Sequence, residues 1–236
     1  MSKKILPQEV LKLIACITML IDHFGAAIVP ELSIPYRVEL YNILRIIGRI
    51  SFPIYCFLLV EGIRHTRNPY KYILRLAAGI LLAEIPFDFA LFGGWTWEHQ
   101  SVMVTLTLGA LMILCMNKTE NQLLKLLIIL VFALGAWALR CDYGLWGILM
   151  INTFVMAQTP LLQMACLLLI DWLIPSRHIP VFGIQMSIQH FAVFSMVPIC
   201  LYSGRKLSHN RALQWGFYLF YPVHLLLLWM ILIVLR

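Results

Sequence analysis

Little of this 236-residue chain is charged: Asp, Glu, Lys and Arg together make up 12% of it, about half the roughly 25% usual in soluble domains. Apolar residues reach 61%, more than a core of this size can cover, so a water-soluble globular fold is excluded. Paired cysteine motifs are also missing. Cys16, Cys56, Cys115, Cys141, Cys166 and Cys200 show no C-x-x-C spacing and sit mostly inside apolar runs, so neither a disulfide framework nor a metal site is expected. No internal repeat, low-complexity segment or polar stretch long enough for a second domain is present. Nor does a clean small-x-small cleavage site follow the first apolar run, which therefore reads as a retained span rather than a signal peptide. Residues 1 to 236 are expected to form a single transmembrane domain.

At about 20 residues per spanning helix, the apolar runs predict an all-α, polytopic membrane bundle. The expected spans lie near residues 8 to 29, 38 to 63, 69 to 93, 101 to 116, 121 to 139, 143 to 157, 160 to 174, 179 to 201 and 211 to 235. With the N-terminus cytoplasmic, twelve basic residues fall on inner loops or helix ends: Lys3, Lys4, Lys12, Arg64, Arg67, Lys71, Arg75, Lys118, Lys125, Arg205, Lys206 and Arg211. Only Arg37, Arg140, Arg177 and Arg236 fall outside, with Arg45 and Arg49 inside the second span. This is the positive-inside pattern. It accounts for the +7 balance as topology, and nucleic acid is not expected as a partner.

Ionisable groups deep in a span are costly and mark function by default. His23 falls in the outer third of the first span, about 20 Å from its inner face at ~1.5 Å per residue. An imidazole there suits a general base, or a histidine held by a helix–helix hydrogen bond. Asp22 points about 100° away from His23, so a carboxylate from another helix (Glu84, Asp88 or Asp142) is the expected orienter. Arg49 falls near the midplane, as catalytic cation or as half of a buried pair with Glu84 or another acid. Tyr221 and His224, three apart, share a face of the last span, as site residues or as interhelical glue. Asp142 reads as a helix cap or a site residue. The inner loops carry Arg64, His65, Arg67, Lys71 and Arg75, and then Ser203, Gly204, Arg205 and Lys206. These suit a phosphate pocket and, equally, an anchor on anionic lipid.

Taken in order, Ile21-Asp22-His23-Phe24-Gly25, Gly48-Arg49-Ile50-Ser51-Phe52-Pro53, Glu61-Gly62, His65-Thr66-Arg67-Asn68, Ile85-Pro86-Phe87-Asp88, Asp142-Tyr143-Gly144 and Phe217 to Leu225 resemble the TraX family. These are bacterial integral membrane acyltransferases named for the conjugative-pilin acetylase. The likeness spans nearly the whole chain and departs at two amides: Ser203 and Ser101 stand where asparagine is expected. It implies a multi-pass protein of the bacterial cytoplasmic membrane that moves an acetyl or other acyl group from cytoplasmic acyl-CoA to an amine or hydroxyl, such as a peptide or pilin N-terminus. The implied site places His23 as base and Arg49, Asp88, Tyr221 and His224 beside it. Arg49, Arg64, His65, Arg67, Lys71, Arg75, Ser203, Gly204, Arg205 and Lys206 would hold acetyl-CoA, with its arm running past Arg49. Arg49, Tyr221 or His224 would stabilise the oxyanion, and acylation of His23 itself is a second route. Buried His, Arg and acids also suit a secondary transporter, although no inverted repeat is visible. They also suit an assembly scaffold, which leaves the inner cations unexplained.

Overall fold

Caps and prolines set most helix starts. Asn68, Asn121, Thr159 and Asn210 each accept a hydrogen bond from a backbone amide two or three residues on, satisfying donors that a helix start leaves open. The computed structural model describes residues 4 to 181, 184 to 208 and 210 to 236. Lys3, one of the expected inner cations, lies outside them. In chain order the helices are α1 (Gln8–Ala27), α2 (Arg37–Gly48), α3 (Ser51–His65), α4 (Pro69–Phe92), α5 (Val102–Met116), α6 (Gln122–Ala138), α7 (Gly144–Met156), α8 (Pro160–Leu173), α9 (Met196–Cys200) and α10 (Arg211–Leu235). The chain is an all-α helical bundle. Among the described residues, three stretches are long and apolar enough to cross a membrane: Gln8–Glu31, Arg37–His65 and Ala212–Leu235.

Two expected spans take a different form. The second is broken into α2 and α3 by a tight turn in which the amides of Arg49 and Ile50 bond three residues back, to Ile46 and Ile47. Pro53 explains the break: it has no N–H for the Arg49 carbonyl, and its ring would clash with that carbonyl in a continuous helix. The eighth, expected over residues 179 to 201, is not one helix. His178–Val181 and Ile184–Ser187 form an antiparallel hairpin, with His178 opposite Ser187, and Ile188–Ser195 follows as a 3-10 helix before the short α9. Pro180 disfavours helical backbone at Ile179, and the β-branched Ile179, Val181 and Ile184 favour strands.

The bundle is apolar outside, and its largely apolar interior holds several polar and ionisable side chains. Asp22, His23, Arg49, Asp88, Asp171, Gln189 and His224 are buried, while Leu123, Val131, Leu161, Leu169 and Val234 are exposed on α6, α8 and α10. That inversion of the soluble pattern fits side chains that face lipid. Close approach is built from small residues. Gly25 meets Leu44 across α1 and α2, and a Cβ at Gly48 would collide with the Asp22 carboxylate.

Candidate active site

α1 and the α2–α3 break meet at one carboxylate. Asp22 Oδ1 accepts from Arg49 Nη2 and Oδ2 from Arg45 Nη1, both at 2.6 Å. The residue beside Gly48 can come this close because the glycine carries no side chain. Arg49 has further commitments: Nε donates to the Arg45 carbonyl at 3.1 Å, and Nη1 donates to the Tyr143 hydroxyl at 3.1 Å and to Gln189 Oε1 at 3.4 Å. Gln189 in turn donates to Asp171 at 3.4 Å. Three side chains and one backbone carbonyl thus fix the guanidinium, and Asp22, not Glu84, is its ion-pair partner.

His23 stands on the next position of α1 and turns the other way, toward α10. Its Nδ1 lies 2.7 Å from His224 Nε2, with the rings 7° from parallel, and His224 Nδ1 lies 2.7 Å from the Phe220 carbonyl. A carbonyl only accepts, so His224 Nδ1 carries the proton. In the neutral pair His224 Nε2 is then the acceptor, His23 Nδ1 is the donor, and His23 Nε2 keeps a free lone pair. The group that orients His23 is therefore a histidine, not a carboxylate. Tyr221, one helical turn before His224, packs edge-on against the His23 ring at 6.1 Å.

The remaining expected residues divide. Glu84 accepts from the Ser101 amide at 3.0 Å and Asp88 from the Thr96 amide at 3.2 Å. Both hold the 93 to 101 loop, and Asp88 does not border the cavity beside His23. Arg64 donates to the Phe154 and Val155 carbonyls at the end of α7, and Ser203 donates to the Leu6 carbonyl. Asp142, in the loop before α7, is partly buried; desolvation raises its carboxyl above the ordinary value, and the nearby Arg49 opposes that shift.

Four adjoining cavities run through the bundle. A funnel of 520 Å³ opens at one end, where His65, Arg67, Arg75, Gly204 and Lys206 meet Lys12. Lys71, Arg64, Ser203 and Arg205 do not line it. The left-handed backbone at Gly204, φ +72°, turns this loop and favours glycine. The Arg75 guanidinium lies 5.8 Å from the rings of both Tyr72 and Tyr218, and Lys12 Nζ lies 5.4 Å from the Phe217 ring. The funnel shares Lys12, Gly62, Tyr72 and Phe217 with an apolar throat of 150 Å³. The throat shares Met19, Tyr55 and Val102 with a chamber of 250 Å³ bordered by Asp22, His23, Arg49 and Tyr143. The chamber shares Arg45, Arg49, Asp142 and Tyr143 with a vestibule of 460 Å³ at the far end. Arg49 borders the chamber and the vestibule but not the throat. Lys12 is a cation that sequence reasoning read only as topology; its place one turn after Gln8, at the mouth of the first span, was the available signal.

The chain matches the TraX protein family over residues 7–232. It is 31% identical, across 92% of its length and 92% of the relative's, to a probable fimbrial assembly protein, FimC of serogroup H1, from Dichelobacter nodosus. A shorter match, 46% identical over 50 residues, covers 21% of this chain and 16% of an uncharacterised protein, RP591, from Rickettsia prowazekii (strain Madrid E). No solved structure matches.

Proposed function

The chain belongs to the TraX family, and from that premise we propose that it is a multi-pass acyltransferase of the bacterial cytoplasmic membrane. In this reading it takes an acetyl or other acyl group from acyl-CoA at its cytoplasmic end and transfers it to an amine or hydroxyl that arrives from the opposite end. The observation that carries the reading is the run of adjoining cavities from a cation-lined funnel to the unengaged nitrogen of His23. The likeness to a protein named for fimbrial assembly agrees with a peptide or pilin acceptor.

The residues present fit such a donor. Lys12, Arg67, Arg75 and Lys206 form no ion pair among the described residues, which leaves their charge for phosphate oxygens. Tyr72 and Tyr218 offer aromatic faces beside them. The throat, lined by Leu58, Leu59, Met103 and Leu106, suits a slender, mostly uncharged arm. From Gln8 in the funnel to His23 in the chamber is fifteen residues of α1, or about 22 Å at ~1.5 Å per residue, the span of a pantetheine arm.

At the chamber, His23 Nε2 takes the proton from the acceptor X–H as X attacks the thioester carbonyl carbon. Arg49 retains one N–H beyond those already committed, and that donor faces the carbonyl oxygen as its negative charge grows, a contribution of about 3 kcal/mol where such donors have been removed. As the C–S bond breaks, His23 returns the proton to the departing sulfur, so acyl-CoA and HX become acyl-X and CoA–SH. His224 has no N–H left for the oxyanion, and its part is to hold the His23 tautomer.

The test is calorimetric titration of acetyl-CoA into the purified protein, in parallel with an assay of coenzyme A release. Wild type should bind saturably and release coenzyme A. His23→Ala should bind with unchanged affinity and release none. Absence of saturable binding to wild type would end the proposal.

A further inference from the structure

Arginine is rare at the far end of this molecule; Arg140 is exposed there and lines a separate cavity beside the vestibule. Arg37 donates to the Pro30 carbonyl at 3.1 Å, and Arg236 pairs with Glu31 at 2.7 Å. Arg45 answers Asp22. Arg177 is exposed, forms no ion pair among the described residues, and lines the vestibule. Its guanidinium lies 5.4 Å from the Tyr41 ring, and that of Arg45 lies 6.0 Å from the same ring. Two cations therefore converge on one aromatic at the rim, and only one of them is neutralised.

The fold, rather than the sequence alone, produces this arrangement. Arg177 precedes the hairpin that replaces the expected eighth helix. The Ile188 amide bonds to its carbonyl at 3.0 Å, and Ser176 and Ser187 hydrogen-bond side chain to side chain, so the base of the hairpin, where Arg177 stands, is closed by two cross-links. Among the residues lining the vestibule, Asp142 is the sole acid, against three arginines. With Asp22 and Asp142 both counted against them, one positive charge remains. Trp137 and Trp146 complete the walls, giving flat apolar faces next to that charge.

We infer that the vestibule is the acceptor site and that it selects acceptors bearing an anionic group, a carboxylate or phosphate, a short distance from the nucleophile, with Arg177 as the residue that reads the charge. This rests on the transferase reading above. Arg177 stands outside the chamber and does not touch His23 or the reacting atoms. It acts on which acceptor binds, and the chemistry is untouched by its loss. A cation at the rim also repels basic acceptors, so selection works in both directions.

The experiment uses three amidated dipeptides as acceptors, Gly-Glu, Gly-Gln and Gly-Lys, with acetyl-CoA and the full chain in detergent. Each has the same attacking amine and differs only in the charge of its second side chain. Wild type should acetylate them in the order Glu, Gln, Lys, with about fivefold or more between the extremes in kcat/KM, as expected for an exposed pair, and added salt should compress the spread. Arg177→Gln should bring the three together in kcat/KM while leaving acetyl-CoA affinity as in wild type. Arg177→Lys should keep the order. Equal rates on all three dipeptides in wild type, or an unchanged order in Arg177→Gln, would overturn the inference while leaving the transferase reading intact. If wild type neither binds acetyl-CoA nor acetylates any dipeptide, the transferase reading falls and the inference falls with it.

Discussion

His224→Phe separates the orientation of the base from its presence. The substitution keeps a flat ring of similar volume beside His23 but removes the acceptor for His23 Nδ1–H. That hydrogen bond is 2.7 Å long and joins two buried side chains, so water does not replace it. A buried donor left without a partner costs about 1 to 3 kcal/mol. His23 escapes that cost by moving the proton to Nε2, the nitrogen that otherwise serves as base. At about 1.4 kcal/mol per factor of ten, the base-competent tautomer declines by about five- to 150-fold, and coenzyme A release should fall by the same factor. Acetyl-CoA affinity should not change, because His224 borders neither funnel nor throat. His224→Gln carries a carbonyl oxygen able to accept from Nδ1 and should recover part of the loss. Titration calorimetry and a thiol-release assay on the three proteins measure both quantities. Release by His224→Phe within about twofold of wild type, well under the smallest factor the lost hydrogen bond implies, would refute the relay.

Other expectations follow from the same geometry. Asp22→Asn leaves two poorly solvated guanidinium groups without their anion, a loss of about 3 to 5 kcal/mol for a broken buried pair. At roughly 2 to 4 °C per kcal/mol for a chain of this size, the unfolding midpoint in detergent should drop by about 6 to 20 °C. Gly48→Ala removes no charge but pushes a methyl group into the same carboxylate, so it should destabilise by about 1 to 3 kcal/mol in the same thermal measurement and lower turnover through Arg49. Lys12→Met, at the mouth of the throat, should weaken acetyl-CoA binding by about tenfold, the loss of one charge-assisted contact, and flatten its salt dependence. Lys71→Met, outside the funnel, should change neither.

How far the residues spoke for themselves differs from place to place. Helical spacing put Tyr221 and His224 on one face and set Asp22 and His23 on different faces, and both features are present in the bundle. Spacing cannot tell which helices adjoin. A carboxylate is therefore the expected partner of His23, whereas the α1–α10 packing brings His224. The same gap hid Asp22 as the partner of Arg49, since Gly48 shows its purpose only once α1 lies against it. Pro53 and Pro180 carried readable warnings of a broken second span and a non-helical eighth, but the apolar runs around them are continuous and outweighed those signals. Glu84 and Asp88 stand out as ionisable groups in an apolar span, and Arg64 as one of the inner-loop cations. Their partners are backbone amides and carbonyls of loops and helix ends, and composition does not announce such needs.

Cavities that joined into an open path from end to end would carry a cost for the cell that houses them. In a membrane, any aqueous path joining the two faces would drain the ion gradients on which the cell depends. The narrow stretch between funnel and chamber answers that hazard, because Leu58, Leu59, Met103 and Leu106 make a collar too apolar to hold water well when nothing is threaded through it. Hydrophobic constrictions of this kind block ions by dewetting. That collar would then keep the idle protein from becoming a leak.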